Sequence, residues 1–224
     1  MEASFGAIAL RHGTDKAEAV RRIIPVYERL LEPRRHLVTK LLEIGVLDGA
    51  SLRTWHEYFP NAQILAVDID PAAADHGSDA VTVLIGDQGE PEFLSHVAEY
   101  GPFDIVVDDG SHYPDDQKTS LGVLWPTVNP GGVYVVEDIH TSYLGRWHGG
   151  YRKPGTFVEH VKEIVDDANQ WWHQQRPTLA GLESVQVYPE LCVFTKQATP
   201  FRGGGAPDPE RLKMLHQPVT EQDA

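Results

Sequence analysis

The sequence has little cysteine, little positive charge and no long apolar run. Cys192 is the one cysteine among 224 residues, which excludes an internal disulfide and a zinc site built from several thiolates. No apolar run approaches the roughly 20 residues that cross a bilayer as a helix. The N-terminal residues also lack the apolar segment of an export signal, so we expect a cytoplasmic location.

Positive charge is scarce because 19 Lys and Arg face 33 Asp and Glu, for a formal net charge of -14. Phosphate backbones and anionic lipid surfaces repel a chain this acidic, so we expect neither nucleic acid nor membrane as a partner. A divalent metal, or a ligand that is neutral or cationic, suits the charge better.

Short apolar segments alternate with helical patterns along most of the chain. Five segments rich in Val and Ile end in an acidic residue or glycine, at 39–45, 62–70, 81–87, 103–110 and 131–139. Helical patterns cover 17–32, 49–58, 90–99, 115–125 and 156–172. This alternation predicts an α/β fold with a mostly parallel sheet and helices on both faces.

The chain ends its ordered part with two further strand patterns, 184–189 and 191–197, separated by Pro189 and Glu190. This spacing indicates an antiparallel hairpin at one edge. The predicted fold is therefore Rossmann-like, a seven-stranded sheet whose C-terminal hairpin strand is antiparallel, as in methyltransferases. We expect one domain over 1–197, with 1–35 as an N-terminal helical cap segment, and a flexible tail over 198–224. Thr14 or Asp15 is the expected N-cap of the first helix, which Pro25 interrupts.

A glycine-containing turn follows the first predicted strand. Gly45 and Gly49 are spaced G-x-x-x-G, unlike the G-x-G-x-x-G of dinucleotide sites, and a cofactor without a diphosphate has less need of a phosphate cradle. Asp68 ends the second strand, where a carboxylate can accept both ribose hydroxyls of an adenosine. The turn alone is a weak signal, but together with Asp68 it predicts a nucleoside site.

Further polar residues follow the same strand ends, which meet at one rim of a parallel sheet. Asp87 and Gln88 follow the third strand, where an adenine amino group would lie. Glu43, Asp68, Asp87 and Asp108 would surround the cofactor with negative charge. That environment favours the sulfonium and ammonium groups of S-adenosylmethionine over a pyrophosphate.

The most specific pattern is Asp-Asp-Gly-Ser-His at 108–112, combined with Glu137 and Asp138 after the fifth strand. Neighbouring strands lie roughly 4.8 Å apart, so Asp109, Glu137 and Asp138 can converge on one ion. Carboxylates without thiolate favour Mg²⁺ before Ca²⁺ or Mn²⁺. His112 lies within reach as a general base, since a metal lowers the pKa of an alcohol and an imidazole takes its proton.

These segments together resemble the Mg²⁺-dependent sugar O-methyltransferases of macrolide biosynthesis, the mycinamicin and demethylmacrocin type. The resemblance runs from about residue 12 to 195 and rests on LLEIGVLDGASLRTW, AVDIDP, GPFDIVVDDGSH and NPGGVYVVEDIHTSY. It implies that Asp109, Glu137 and Asp138 are metal ligands and that His112 is the base. It also implies that Gly45, Asp68, Asp87 and Gln88 contact the cofactor.

The early His-Gly-Thr-Asp-Lys segment at 12–16 also recurs in this wider group. We expect Thr14 and Lys16 to close over the methionine end of the cofactor, with Lys16 near its carboxylate. Ser51 completes the predicted cofactor set. The resemblance further implies a homo-oligomer.

The acceptor is expected beside the metal, along the segment 139–155. Tyr143, Trp147 and Tyr151 lie there among glycines, and aromatic faces pack on the apolar faces of sugars or polyketide rings. We expect a metal-dependent O-methyltransferase that acts on a sugar hydroxyl of a natural product. The alternatives are a catechol-type or other small-molecule O-methyltransferase, an NAD-dependent oxidoreductase and a non-catalytic ligand-binding protein of the same fold.

Overall fold

A seven-stranded sheet forms the centre of the molecule. The computed structural model describes residues 2–17, 21–169 and 176–199. The strands are β1 (Lys40–Ile44), β2 (Gln63–Asp68), β3 (Val81–Ile85), β4 (Phe103–Asp108), β5 (Val128–Glu137), β6 (Leu182–Val187) and β7 (Leu191–Lys196). Their order is β3-β2-β1-β4-β5-β7-β6. The first five run parallel, and β7 is antiparallel to both β5 and β6, which confirms the predicted fold class.

Helices cover both faces of the sheet. They are α1 (Phe5–His12), α2 (Ile24–Leu31), α3 (Ala50–Tyr58), α4 (Pro91–Ala98), α5 (Pro114–Leu124) and α6 (Phe157–Ile164). One buried cluster packs Phe5, Tyr27 and Trp55 of α1, α2 and α3 against one face. The other packs Leu94, Leu121 and Phe157 of α4, α5 and α6 against the opposite face. The central strands carry near-continuous apolar runs because both of their faces are buried.

The N-terminal region differs from the prediction. Helix α1 was not predicted; Ser4 caps it, accepting a hydrogen bond from the backbone N–H of Ala7. The predicted cap at Thr14 or Asp15 was wrong, because α2 begins only at Ile24, with Pro25 in its first turn. Proline is tolerated there since the first N–H groups of a helix have no intrahelical partner.

Aromatic stacking fixes α1 and α2 against α3. The ring centroids of Phe5 lie 5.0 Å from Trp55 and 5.3 Å from Tyr27. Lys16 and Arg21, in the segment that joins α1 to α2, thereby lie beside the carboxyl ends of the strands. Residues 18–20 of this segment lie outside the described part of the chain.

Two predictions about the chain as a whole stay open. All of the predicted tail except Ala198 and Thr199 lies outside the described residues, so its flexibility and the boundary at 197 remain predictions. Within the described residues, no helix is both long and apolar enough to cross a membrane.

Candidate active site

The turn between β1 and α3 is shaped by two glycines. Gly45 has a φ of +94°, and a Cβ built there would lie 2.2 Å from the carbonyl oxygen of Asp109. Gly49, the N-cap of α3, has a φ of +71°. Both need a backbone conformation that L side chains rarely adopt. The glycine at position 45 therefore allows the ends of β1 and β4 to approach each other closely.

Asp68 ties the end of β2 to this turn. Its Oδ2 accepts hydrogen bonds from the backbone N–H of Val46 at 2.8 Å and of Leu47 at 3.4 Å, and its Oδ1 accepts from Asp70 N–H at 2.8 Å. A carboxylate has about four lone-pair sites. Asp68 therefore keeps acceptor capacity for a ligand hydroxyl while it orders the loop.

Gln88 joins the ends of β3 and β4. Its amide nitrogen donates to Asp108 Oδ1 at 3.1 Å and to Ser120 Oγ at 3.0 Å, and its Oε1 accepts from Ser111 N–H at 2.6 Å. Burial raises the pKa of Asp108 to about 7. Asp87 is exposed, and its Oδ1 accepts from Gly89 N–H at 2.7 Å. Gln88 thus links the end of β3 to the end of β4, next to the exposed Asp87.

A cavity of about 780 Å³ opens at this rim. Of the predicted cofactor residues, seven line it: Thr14, Lys16, Gly45, Ser51, Asp68, Asp87 and Gln88. Glu43, Gly49 and Asp108 do not line it. Asp109, His112 and Asp138 line the same cavity, so the predicted cofactor region and the predicted metal region share one space.

Asp109, His112 and Asp138 form a cluster suited to a cation. Each offers one ligand atom, and these atoms all lie within 4.8 Å of one another. His112 Nε2 is 3.4 Å from Asp138 Oδ2, while His112 Nδ1 is buried without a hydrogen-bond partner. Ligands on opposite sides of Mg²⁺ are separated by about 4.2 Å, since each bond is roughly 2.1 Å. The donor set and its spacing fit a small divalent ion.

Glu137 lies apart from that cluster and is fully buried. Its Oε1 accepts a hydrogen bond from Tyr27 Oη at 2.5 Å and lies 2.9 Å from Lys16 Nζ. Its Oε2 accepts from Arg21 Nη2 at 3.0 Å. Both carboxylate oxygens therefore already contact donors of the N-terminal segment, and burial raises the pKa of Glu137.

Lys16 forms part of the cavity floor, with 1% of its side chain exposed. Its ammonium is 2.5 Å from Asp109 Oδ2, 2.9 Å from Glu137 Oε1 and 3.5 Å from Glu43 Oε1. Burial alone would lower the pKa of Lys16, but these three carboxylates raise it well above its ordinary value. The ammonium stays charged and cross-links the ends of β1, β4 and β5.

Glu43 closes the base of this network. Its Oε2 accepts a hydrogen bond from Ser51 Oγ at 2.6 Å. Burial raises the pKa of Glu43 to about 7, and the proximity of Lys16 only partly offsets it. Ser51 is therefore positioned by Glu43, and it is the hydroxyl rather than the carboxylate that borders the cavity.

His112 and Asp138 are both held in the left-handed region of backbone conformation. Their φ values are +62° and +54°, which is uncommon for residues other than glycine. The hydroxyl of Thr141 donates to the carbonyl oxygens of both His112, at 3.2 Å, and Asp138, at 2.8 Å. Such strain persists where surrounding contacts over-determine it, and it clusters at functional sites.

The predicted acceptor residues lie outside this cavity. Tyr143 and Tyr151 are exposed, at 50% and 78%, and Trp147 is half-buried beneath the guanidinium of Arg146, 5.0 Å from the ring centroid. They lie along the segment after β5 that also carries Asp138. None lines the cavity, so their contact with an acceptor stays a prediction.

Sequence reasoning missed Arg21 and Tyr27. Arg21 Nη2 is 2.6 Å from Asp138 Oδ1, and Tyr27 bonds Glu137. Each partner lies more than 100 positions away in the chain, with separations of 117 and 110. No local sequence pattern indicates such distant pairs. The scarcity of basic residues in this acidic chain was a signal that could have drawn attention to Arg21.

Comparison with known proteins assigns a family to this geometry. Residues 42–139 match the family model described as "Methyltransferase domain". The chain contains a methyltransferase domain. This match spans the glycine turn, Asp68 and the ends of β4 and β5. The carboxyl ends of β1 to β5 therefore all belong to the matched domain, and the hairpin of β6 and β7 lies outside it.

Two curated relatives of the methyltransferase domain come from antibiotic producers. The 8-demethyl-8-(2-methoxy-alpha-L-rhamnosyl)-tetracenomycin-C 3'-O-methyltransferase of Streptomyces olivaceus is 37% identical over 211 residues, which cover 86% of this chain and 53% of that protein. The mycinamicin VI 2''-O-methyltransferase of Micromonospora griseorubida is 37% identical over 184 residues, 76% of this chain and 45% of that protein. The chain spans about half the length of these relatives.

A solved structure shares the fold. The MycE methyltransferase of mycinamycin biosynthesis, in complex with Mg, SAH and mycinamycin VI, superposes with a TM-score of 0.80 at 31% identity. The match covers 92% of this chain and 57% of that one. The methyltransferase domain described here is therefore related to sugar O-methyltransferases in both sequence and fold, as the sequence motifs predicted.

Proposed function

We propose that this chain is an S-adenosylmethionine- and divalent-metal-dependent O-methyltransferase that acts on a sugar hydroxyl of a glycosylated natural product. The observation that carries the proposal is the cluster of Asp109, His112 and Asp138 in the same cavity as Asp68. The named relatives methylate sugar hydroxyls on tetracenomycin and mycinamicin. That agreement supports a glycosylated acceptor over a catechol.

The cofactor is proposed to lie along the cavity from Asp87 to Lys16. Asp68 would accept the ribose hydroxyls, and the close backbone approach at Gly45 leaves room for the nucleoside. The acidic surroundings favour a sulfonium. Lys16 is already ion-paired with three carboxylates, so in this proposal it positions Asp109 and the cavity floor. Its contact with the methionine carboxylate stays a prediction.

Asp109 and Asp138 are proposed to hold the metal, with Glu137 as the third carboxylate that the family resemblance implies. A bound divalent cation would supply Lewis acidity that lowers the pKa of an acceptor hydroxyl. His112 would take the hydroxyl proton on Nε2, the nitrogen that faces Asp138 Oδ2 at 3.4 Å. Asp138 would stabilise the resulting imidazolium. The freed oxygen would attack the methyl carbon of the sulfonium in line, so that the S–CH₃ bond breaks and S-adenosylhomocysteine leaves.

Calorimetric titration with S-adenosylmethionine, S-adenosylhomocysteine and NAD, with and without Mg²⁺, tests the cofactor. We expect binding of the first two and none of NAD. Binding of NAD alone would favour the alternative of an NAD-dependent oxidoreductase.

The role of His112 is tested by methyl transfer to a rhamnosylated polyketide and to a catechol. We expect transfer to the glycoside, abolished by EDTA and reduced by about 10² to 10⁴-fold in His112→Ala, with cofactor affinity unchanged. His96→Ala is the matched control, because His96 is exposed on α4, contacts Glu99 and Tyr100, and does not line the cavity. Full activity in EDTA, or in His112→Ala, contradicts the scheme.

Two finer predictions accompany this proposal. They are a cytoplasmic location, expected from the sequence, and a homo-oligomeric state, implied by the family resemblance. Binding of nucleic acid or membrane remains unexpected on the grounds of charge.

A further inference from the structure

One guanidinium nitrogen of Arg21 lies close to all three carboxylates that are predicted as metal ligands. Its Nη2 is 2.6 Å from Asp138 Oδ1, 3.0 Å from Glu137 Oε2 and 3.9 Å from Asp109 Oδ1. The side chain is 10% exposed. A guanidinium at these distances neutralises the same carboxylates that are predicted to hold a divalent ion.

The rest of the guanidinium is held less completely. Its Nη1 is 2.5 Å from Asp15, and its Nε is 3.7 Å from Glu190 and is buried without a hydrogen-bond partner. An unmade hydrogen bond on a buried donor is costly. Arg21 thus donates hydrogen bonds through Nη1 and Nη2, to Asp15, Glu137 and Asp138, while its Nε donates none.

Lys16, in the same network, is more completely buried than Arg21. Its ammonium is enclosed by Asp109, Glu137 and Glu43, and 1% of its side chain is exposed. Between them, Lys16 and Arg21 are the two cations shared by six carboxylates in the described residues: Asp15, Glu43, Asp109, Glu137, Asp138 and Glu190. The carboxylates outnumber these two cations, which favours a further cation. Arg21 is more exposed than Lys16, and it also has Asp15 and Glu190 as partners outside the predicted metal set, towards which it can move.

We propose that Arg21 is a built-in counter-ion that a divalent metal displaces from Asp138 and Glu137. This inference rests on the proposed metal-dependent function. Arg21 neutralises the acids while no metal is bound, and its guanidinium withdraws towards Asp15 and Glu190 when metal binds. The competition lowers metal affinity, so that Arg21 sets the metal concentration at which the site fills.

Mn²⁺ binding measured by electron paramagnetic resonance tests the affinity part on the full chain. We expect Arg21→Gln to bind Mn²⁺ about tenfold or more tightly than the wild type, because a positive charge a few ångströms from the ion is removed. Arg22→Gln is the matched control, since it removes the same charge from the adjacent, exposed residue. Screening by solvent limits its effect to about threefold or less.

Arginine modification of the wild-type protein tests displacement and needs no variant that might fold poorly. Phenylglyoxal labelling is followed by mass spectrometry during a Mg²⁺ titration, with Arg22 as the internal reference. We expect labelling of Arg21 to rise as the metal site fills, while Arg22 labelling stays constant. Labelling of Arg21 that stays constant or falls on metal binding overturns displacement.

The outcomes separate this inference from the proposed function. Mn²⁺ binding that Arg21→Gln leaves unchanged or weakens overturns the counter-ion role and leaves the metal-dependent function intact. Absence of Mn²⁺ binding in every variant, with S-adenosylhomocysteine present, overturns both. Tighter binding in Arg21→Gln together with metal-dependent labelling of Arg21 supports the inference.

Discussion

Gly45 is a residue at which the site tolerates little change. Its φ of +94° disfavours any side chain, and an added Cβ would overlap the backbone of Asp109 at 2.2 Å. Since the obstacle is backbone, no rotamer change relieves it. The position therefore combines two separate penalties, conformational strain and steric overlap.

We expect Gly45→Ala to lower the free energy of unfolding by about 3 kcal/mol and to weaken cofactor binding, because the strand ends must separate. Urea unfolding and calorimetric titration of the variant measure both effects. Gly181→Ala isolates the strain, since Gly181 has a φ of +74° and open space around it; its cost should be about 1 kcal/mol.

Gly122→Ala is a control for which we expect the free energy of unfolding to change in the opposite direction. Gly122 is exposed within α5, and an added Cβ meets nothing within 4 Å, so we expect stabilisation by about 1 kcal/mol. If Gly45→Ala costs no more than Gly181→Ala, the overlap with Asp109 plays no part.

At the scale of elements, caps and turns fix the helices against the sheet. Thr156 begins α6, and its Oγ accepts from the backbone N–H of Glu159 at 3.4 Å and donates to Lys153 carbonyl oxygen at 3.0 Å. Only 2% of Thr156 is exposed. This one hydroxyl connects the segment after β5 to the helix that follows.

We expect Thr156→Ala to cost about 1 kcal/mol in the free energy of unfolding, since the helix loses its N-cap and the carbonyl of Lys153 loses its donor. Thr156→Ser keeps both hydrogen bonds and should recover most of that stability in the same denaturation assay. Equal losses in the two variants would show that packing of the threonine methyl group, and not capping, stabilises this end of α6.

At the scale of the whole molecule, Cys192 reports on unfolding of the sheet. It lies in β7, between β5 and β6, and is fully buried. Burial raises the pKa of its thiol to about 12. The thiolate, which is the reactive form, is therefore absent from the folded state near neutral pH.

We expect Cys192 to react with Ellman's reagent only as fast as the protein unfolds, so that the rate rises in step with urea denaturation. The denatured chain, with its one cysteine, should react quickly and completely. Rapid reaction under native conditions would mean that the hairpin of β6 and β7 opens locally.

The same thiol makes stability depend on pH. Above the ordinary value of 9.0, the unfolded thiol ionises while the folded one keeps its proton. The free energy of unfolding then falls with rising pH, by about 1.4 kcal/mol per unit from this group. Comparison with Cys192→Val between pH 9 and 11 isolates that slope, which the variant should lack.

The sequence by itself determined the sheet and its functional rim. Buried parallel strands require continuous apolar runs, and those runs ended close to where β1 to β5 end. The carboxyl ends of parallel strands share one edge, so the cavity residues Asp68, Asp109, His112 and Asp138 were predictable in position. The antiparallel hairpin followed from the short spacing of its two strands, because a two- or three-residue link permits no crossover.

Only the tertiary structure decided how the charges of that rim are partnered. The placement of Lys16 and Arg21 depends on α1 and α2 packing through Phe5 and Tyr27 onto the sheet, and α1 was not predicted. Glu137 differs from its neighbour Asp138 in burial although both end the same strand. Periodicity reports which face of an element is apolar, whereas charge pairing across more than 100 residues depends on how separate elements meet in space.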